Sequence, residues 1–223
     1  MFEELDILLD SPTIRPTFEK VHIILALFIF AENRDGIGRY RLQKELLIGE
    51  GTAKSLIRKL NKDIKFITVS KEMKRRGHFL TKKGEDYFSK VKDYIPIIKK
   101  CEPSLLKEII IEIERNYTYF CLIRDGFHKI ANGVNQRDAA IKVDGSGATC
   151  LAYNGEDLIF PSKKQKEDIG EDMILNDALY SYFKSELSKE GIQLKKNDVI
   201  AIGSGDSPQK ARLATLNAAL TLI

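Results

Sequence analysis

Hydrophobic residues recur at helical spacing through the first part of the chain. The long apolar segment at 18–33 predicts a buried first helix capped by Thr17. Apolar residues at the same spacing predict a short second helix over 41–47. After a Gly-containing turn, residues 53–63 carry apolar residues on one side and cationic residues on the others. This pattern predicts a third, cationic helix capped by Thr52, in a helix-turn-helix arrangement.

The period then changes from helical to alternating. Residues 66–70 predict a strand, 71–77 a basic loop and 78–80 a returning strand. Thr81 is placed to cap a further helix that runs through Phe88. Two strands around a basic loop, directly after a cationic helix, predict a wing. We therefore expect an N-terminal winged helix-turn-helix.

The second half of the chain mixes strand and helix periods in the order β-α-β-β-α-β-α. This order predicts an α+β fold, a two-layer sandwich with helices on one face of a sheet. A helix over 87–100, interrupted at Pro96, and another over 105–115 precede it. The predicted elements are strands at 117–123, 148–153, 157–160 and 199–202, and helices at 136–143, 173–187 and 208–222.

Charge divides the chain in the same place. The net charge of +4 is made of 21 Lys and Arg against 14 Asp and Glu in residues 1–101, and 15 against 18 in the rest. From Lys54 to Lys83 there are eleven basic residues and only two acids. Such a segment is either a solvated charged face or a polyanion-binding surface. We expect a winged-helix domain at 1–98 and an α+β domain at 99–223.

Composition excludes several classes of protein. At 43% hydrophobic and 30% charged residues the chain is typical of a folded protein and not of a disordered one. The longest apolar run, 23–31, is too short to span a bilayer, and the acidic N-terminus is unlike a secretory signal. Three widely spaced cysteines argue against a disulfide framework and a zinc site. We expect a cytoplasmic protein without a metal or another cofactor.

The basic surface predicts contacts with double-stranded DNA. Lysine and arginine neutralise phosphates, whereas hydroxyls donate to phosphates or base edges. The residues predicted to contact DNA are Thr52, Lys54, Ser55, Arg58, Lys59 and Lys62 on the third helix, and Lys74, Arg75 and Arg76 in the wing.

Two polar clusters in the second half predict a ligand site. Small residues before a helix let a ligand approach the backbone, and a helix N-terminus favours an anion. The first cluster is Gly203, Ser204, Gly205, Asp206 and Ser207, with Lys210 and Arg212 close behind. The second is Arg124, Asp125, Arg137 and Asp138, expected to line a pocket with residues 144–147. The alternative interpretation is an ordinary capped turn and local Arg–Asp pairs.

Candidate catalytic residues are scarce. His22 lies within the apolar first helix and is expected to be a packed core histidine. Cys121 and Cys150 fall within predicted strands, where free cysteine behaves as a small apolar residue. No catalytic motif is present, and we expect a protein that is not an enzyme.

The chain also resembles a known family. The segments that carry the resemblance are TFEKVHIILAL, IGRYRLQKEL, GEGTAKSLIRKL, LIRDG, QRDAAI, GSGAT and DLIFP. They are similar to an uncharacterised archaeal family in which an N-terminal winged helix is joined to a C-terminal domain of unknown function. That domain is similar to the GAD domain of bacterial aspartyl-tRNA synthetases and of an archaeal amidotransferase subunit. The resemblance implies the two-domain architecture and brings no established ligand or reaction.

These observations predict a DNA-binding transcriptional regulator. Its C-terminal domain would bind a small anionic effector, form a homodimer, or both. Two alternatives stay open: a phosphate- or nucleotide-handling enzyme that uses the loop at 203–208, and an RNA- or tRNA-related accessory protein.

Overall fold

The computed structural model describes residues 2–10, 16–69, 77–107, 109–110, 117–161 and 175–223. The chain divides into two compact units, Met1–Lys92 and Asp93–Ile223. The sequence-based boundary after residue 98 falls inside a strand of the second unit, β3 (Ile97–Lys100).

The first unit is built from helices and one small antiparallel sheet. Its two strands pair with Thr68 opposite Phe79. The described helices and strands of this unit are α1 (Asp6–Leu9), α2 (Lys20–Glu32), α3 (Arg39–Leu46), α4 (Glu50–Arg58), β1 (Ile67–Val69), β2 (His78–Leu80) and α5 (Lys82–Tyr94).

Helix α2 occupies the centre of this unit because it is apolar on every side. Val21 and all residues of 23–30 are buried. Glu19 caps the helix, in place of the predicted Thr17. The Glu19 carboxylate accepts from the backbone N–H of His22, and Nδ1 of His22 accepts from the N–H of Glu19 at 3.0 Å. His22 is thus a half-buried capping residue and not the predicted core histidine, and burial lowers its pKa.

A tight turn joins α3 to α4. Leu47 follows α3 with a left-handed backbone (φ 56°), and Gly49 takes the N-cap position of α4 that was predicted for Thr52. After Arg58 the helix widens into a π-helical turn, Lys59–Asp63. At the start of α5, Oγ1 of Thr81 accepts from the N–H of Gly84 at 3.1 Å, as the sequence predicts. The strand boundaries agree with the prediction to within a residue or two.

The segment after α5 differs from the prediction. The helix expected over 87–100 ends at Tyr94, and residues 97–100 form β3 at the edge of the second unit's sheet. Pro103–Leu106 is a short 3₁₀ turn, whereas a helix was expected from residue 105. The rest of that expected helix lies largely outside the described residues.

The second unit contains a five-stranded antiparallel sheet in the order β3-β4-β7-β5-β6. From β4 onward the chain follows the predicted order β-α-β-β-α-β-α. The remaining elements are β4 (Tyr117–Ile123), α6 (Val134–Lys142), β5 (Gly147–Tyr153), β6 (Leu158–Ile159), α7 (Asp177–Lys189), β7 (Val199–Gly205) and α8 (Pro208–Leu220).

Helices cover both faces of this sheet, so the unit has three layers and not the predicted two. Phe120 packs with Phe183 of α7, their ring centroids 5.4 Å apart. The next residue, Cys121, directs its thiol to the backbone oxygen of Thr215 in α8. Successive side chains of a strand point to opposite faces. Therefore α7 and α8 lie on opposite sides of the sheet.

The central strand β7 is buried along its whole length and approaches α8 closely. A Cβ at Gly203 would lie 2.5 Å from both the backbone nitrogen and Oγ1 of Thr215. The N–H of Gly203 donates to that Oγ1 at 3.1 Å. Only glycine allows the helix backbone to come this near to the strand.

We expect Gly203→Ala to destabilise the protein. The added methyl group meets backbone atoms that cannot rotate away, and such overpacking costs about 1–3 kcal/mol. Urea unfolding followed by circular dichroism measures the change. Gly51→Ala is the matched control, because it adds the same methyl group in a helix with no atom within 4 Å, and we expect it to be neutral or stabilising. Equal unfolding free energies for the two variants would contradict this account of the strand–helix contact.

Candidate functional site

The exposed side of α4 carries a narrow cationic face. Lys54 and Arg58 are exposed and Ser55 is half-buried, whereas Ala53 and Leu56 on the other side are buried. At 100° per residue, positions 51, 54, 55 and 58 fall within an arc of about 100° on one side of the helix. The predicted DNA-contacting residues Lys54, Ser55 and Arg58 are therefore on one surface.

The π-helical turn continues this face. Lys62 is exposed and follows Arg58 by one turn. We call Lys54, Ser55, Arg58 and Lys62 the cationic stripe. Its three charges extend over about 12 Å of helix axis, and none of its members is acidic.

Lys59 does not belong to this surface, and its prediction as a DNA contact is wrong. Its side chain is only 8% exposed. Its ammonium group donates to the backbone oxygens of Leu8 at 2.7 Å and Asp10 at 3.2 Å. Lys59 thus holds the N-terminal segment through two hydrogen bonds. Two ion pairs at the surface, Lys20–Asp6 and Lys90–Glu4, contact the same segment.

Thr52 is half-buried on the flank of α4. Its Oγ1 lies 2.6 Å from Oγ1 of Thr17. This bond joins the first turn of α4 to the segment that precedes α2. Thr52 therefore has a protein partner in addition to its predicted role in DNA contact.

The sequence also predicts DNA contacts in a wing. Lys74, Arg75 and Arg76 lie outside the described residues. The strands on either side of them, β1 and β2, are in the predicted places.

Sequence reasoning missed a polar cluster at the start of α3. The guanidinium of Arg39 lies 4.9 Å from the ring centroid of Tyr40, which is 66% exposed, and 2.9 Å from a carboxylate oxygen of Glu50. The sequence signal for this cluster is the aromatic Tyr40 between two arginines, Arg39 and Arg41. Because Glu50 is eleven positions away, its pairing with Arg39 has no local pattern.

In the second unit, helix α8 packs directly against the turn that was predicted to bind an anion. A Cβ at Gly205 would lie 2.8 Å from the nitrogen of Ala211, so this glycine, like Gly203, permits helix packing and not the approach of a ligand. Ser204 is buried. These small residues therefore do not make the ligand cradle that the sequence predicted.

Two backbone N–H donors at the start of α8, those of Lys210 and Ala211, are also taken. Ser207 caps the helix: its Oγ accepts from the N–H of Lys210 at 3.3 Å, and its carbonyl from the N–H of Ala211 at 3.0 Å. Pro208 has no N–H to offer. Asp206 pairs with the Lys210 ammonium at 2.9 Å and raises its pKa. The Lys210 ammonium, a predicted partner of the anion, is thus paired with a carboxylate of the same chain, which agrees with the alternative of a capped turn.

Arg124 and Asp125 lie at the other end of the sheet. Ile123 pairs with Val199 at the start of β7, whereas Gly205 ends that strand, a separation of about 20 Å. These residues cannot share a pocket with the turn at 203–207.

Arg124 instead has a structural partner. It forms an ion pair with the buried Asp198, whose second oxygen accepts from the N–H of Asp125 at 3.4 Å. Asp198 also accepts from the N–H of Lys195 at 2.8 Å. The pair holds the end of β4 to the loop before β7.

Arg137 and Asp138 form a local, exposed pair. The Arg137 guanidinium donates twice to one oxygen of Asp138, at 3.1 and 2.9 Å. Arg137 lies beside Gly147, which pairs with Ser204, so only this part of the second cluster approaches the turn. It also lines a cavity of about 210 Å³ with Thr149 and Cys150.

The three cysteines are buried and free. Burial raises the pKa of Cys101 and Cys121, and that of Cys150 to about 12. Thiols in this state are inert, and for Cys121 and Cys150 this agrees with their predicted role as small apolar residues. Within the described part of the chain, no group of three or more His, Cys, Asp and Glu residues could hold a metal ion.

Comparisons with known proteins identify relatives without an assigned activity. Residues 114–222 match a domain of unknown function, DUF4443, and residues 19–86 match the PH0730-like, N-terminal domain. A similar solved structure is that of the hypothetical protein PH0730 from Pyrococcus horikoshii OT3. It aligns with a TM-score of 0.62 and 21% identity over 92% of this chain and 93% of that chain, which shows a shared fold.

No curated protein matches the chain. The matches agree with the expectation of a family of unknown function. No helix among the described residues is long and apolar enough to cross a membrane.

We expect Lys59→Met to lower the free energy of unfolding by about 1–3 kcal/mol. Methionine keeps the aliphatic bulk but leaves the carbonyls of Leu8 and Asp10 without their donor. The exposed Lys62→Met is the matched control, and we expect it to stay within about 0.5 kcal/mol of the native protein. Urea unfolding of both variants measures the difference, and equal effects would show that the buried ammonium group contributes nothing.

We expect native protein at pH 8 to show no rapid reaction with Ellman's reagent. All three thiols are shielded, and the pH lies well below their raised pKa values. The same titration in guanidinium chloride should release three equivalents. One fast equivalent in the native protein would instead identify a reactive cysteine.

Proposed function

We propose that the first unit is a winged helix that binds double-stranded DNA, and that the protein is a transcriptional regulator. The order of elements supports this: α3, a tight turn and α4 precede the β1–β2 hairpin, which is followed directly by α5. In a helix-turn-helix the second helix enters the major groove. Helix α4 takes that position in the chain.

The cationic stripe is the single observation that carries the proposal. An apolar side of α4 anchors the helix in the unit, and the opposite side presents Lys54, Arg58 and Lys62 to solvent. The stripe is about as long as the major groove is wide, about 12 Å. Its side chains therefore suit contacts with phosphates on the groove's two edges.

Neighbouring residues have supporting roles in this proposal. Lys59 and Thr52 position α4 through their contacts with the N-terminal segment and Thr17. Arg39 is partly neutralised by Glu50, so we do not count it among the phosphate contacts. Tyr40 is exposed near the start of α4 and can add a hydrogen bond from its hydroxyl group.

The second unit supplies regulation or assembly in this proposal, by binding an effector or a second copy of the chain. The enzymatic alternative drew on an open glycine turn at 203–208. Its support is reduced, because packing against α8 accounts for both glycines there. The RNA alternative rests on fold analogy, which is a weak argument for function.

We expect the affinity for a 30-base-pair DNA duplex to fall steeply with salt. Each phosphate contact contributes about 0.9 to the slope of log affinity against log salt concentration. Substituting Lys54, Arg58 and Lys62 by alanine should therefore reduce the slope by about one per residue. Fluorescence anisotropy of the full chain at several salt concentrations measures this change.

Two variants serve as controls in the same titration. Lys92→Ala removes an exposed cation from α5, and we expect the slope to be unchanged. Lys59→Met is expected to leave the slope unchanged as well, because its ammonium group faces protein carbonyls. A slope that is insensitive to the stripe variants would overturn the proposal. Tighter binding of folded RNA than of duplex DNA would favour the accessory-protein alternative.

A further inference from the structure

A cavity of about 370 Å³ lies within the first unit, away from the cationic stripe. Three elements form its walls: the end of α2, strand β2 and the first half of α5. Its volume lies within the usual range of small-molecule sites, about 300–1,000 Å³. The residues that line it are Phe30, Ala31, Arg34, Phe79, Leu80, Glu85 and Phe88.

The interior of this cavity is apolar and aromatic. Phe30 is buried, and Phe79 and Phe88 are half-buried. The Phe88 ring is held edge-on against Phe28, with centroids 4.9 Å apart and planes at 88°. A fixed aromatic wall of this kind suits a large apolar side chain, whose burial would be favourable.

Two opposite charges complete the lining. Arg34 follows α2, and Glu85 lies in the first turn of α5. Both side chains are exposed, so the charges lie where the cavity meets solvent, whereas the buried Phe30 lies at its floor. A guanidinium group binds a carboxylate through two parallel hydrogen bonds, and a carboxylate accepts from an ammonium group.

We propose that this cavity binds a free α-amino acid with a large apolar side chain. The ligand's carboxylate would pair with Arg34, its ammonium group with Glu85, and its side chain would lie among the three phenylalanines. The combination of one cation, one anion and an apolar interior distinguishes this ligand from an apolar acid, which needs only Arg34. The proposal does not depend on DNA binding, and its test uses no DNA.

Calorimetry and thermal unfolding of the full chain test the proposal with matched ligands. We expect L-phenylalanine or L-leucine to bind and raise the melting temperature, and L-alanine to have no effect. 3-Phenylpropanoate lacks the ammonium group and 2-phenylethylamine lacks the carboxylate. Each should bind about tenfold or more weakly than L-phenylalanine, because a hydrogen bond to a charged group is lost.

Variants then locate the site. Arg34→Gln should lower the affinity for L-phenylalanine about tenfold but leave the affinity for 2-phenylethylamine unchanged. Glu85→Gln should lower the affinity for L-phenylalanine by a similar factor but leave the affinity for 3-phenylpropanoate unchanged. Ala31→Leu fills the cavity from within α2, with a good helix former, and should abolish binding in a protein that remains folded. Arg41→Gln and Glu3→Gln change exposed charges elsewhere and should have no effect.

Three results would overturn the proposal. If none of these amino acids stabilises the native protein, the cavity is a packing gap or a surface for another protein. Equal affinities for 3-phenylpropanoate and L-phenylalanine would make it a site for apolar acids. Undiminished binding to Ala31→Leu would place the ligand elsewhere on the chain.

Discussion

The close approach of α8 to β7 is the constraint on which the second unit depends. Strand β7 lies in the middle of the five-stranded sheet and is buried from its first residue to its last, so both of its faces are covered. Gly203 and Gly205 let α8 lie directly on one face, while α7 covers the other. The same strand also separates Arg124 from the turn at 203–207, because the two lie at its opposite ends. The requirements of packing thus account for residues that look like a ligand site when only their types and spacing are known.

In the first unit the corresponding constraint is the burial of α2. A helix that is apolar on every side must be surrounded, and its neighbours are therefore placed around it. The buried ammonium of Lys59 adds a second requirement. A buried charge needs strong hydrogen-bond partners, and the carbonyls of Leu8 and Asp10 supply them. The position of α4 is consequently set from its inner side, which leaves the cationic stripe exposed on the outer side.

The two units differ in what they offer to other molecules. The first unit combines a cationic helix face with a separate aromatic cavity that carries one cation and one anion at its opening. In the second unit most candidate polar residues are paired within the protein: Arg124 with Asp198, Lys210 with Asp206, and Arg137 with Asp138. The features that carry the functional proposals are therefore in the N-terminal unit. The fold shared with the solved archaeal structure extends over nearly the whole chain.

The order and approximate bounds of most elements follow from the amino-acid sequence, because hydrophobic periodicity and capping residues such as Thr81 are local signals. Helical spacing alone also brings Lys54 and Arg58 of the cationic stripe together on one side of α4. By contrast, the burial of Lys59 and the position of α7 on the second face of the sheet depend on how distant elements pack. So does the pairing of Arg124 with Asp198, 74 positions away. Periodicity shows which side of an element is apolar, but not which distant element covers that side. A side chain's role depends on that partner.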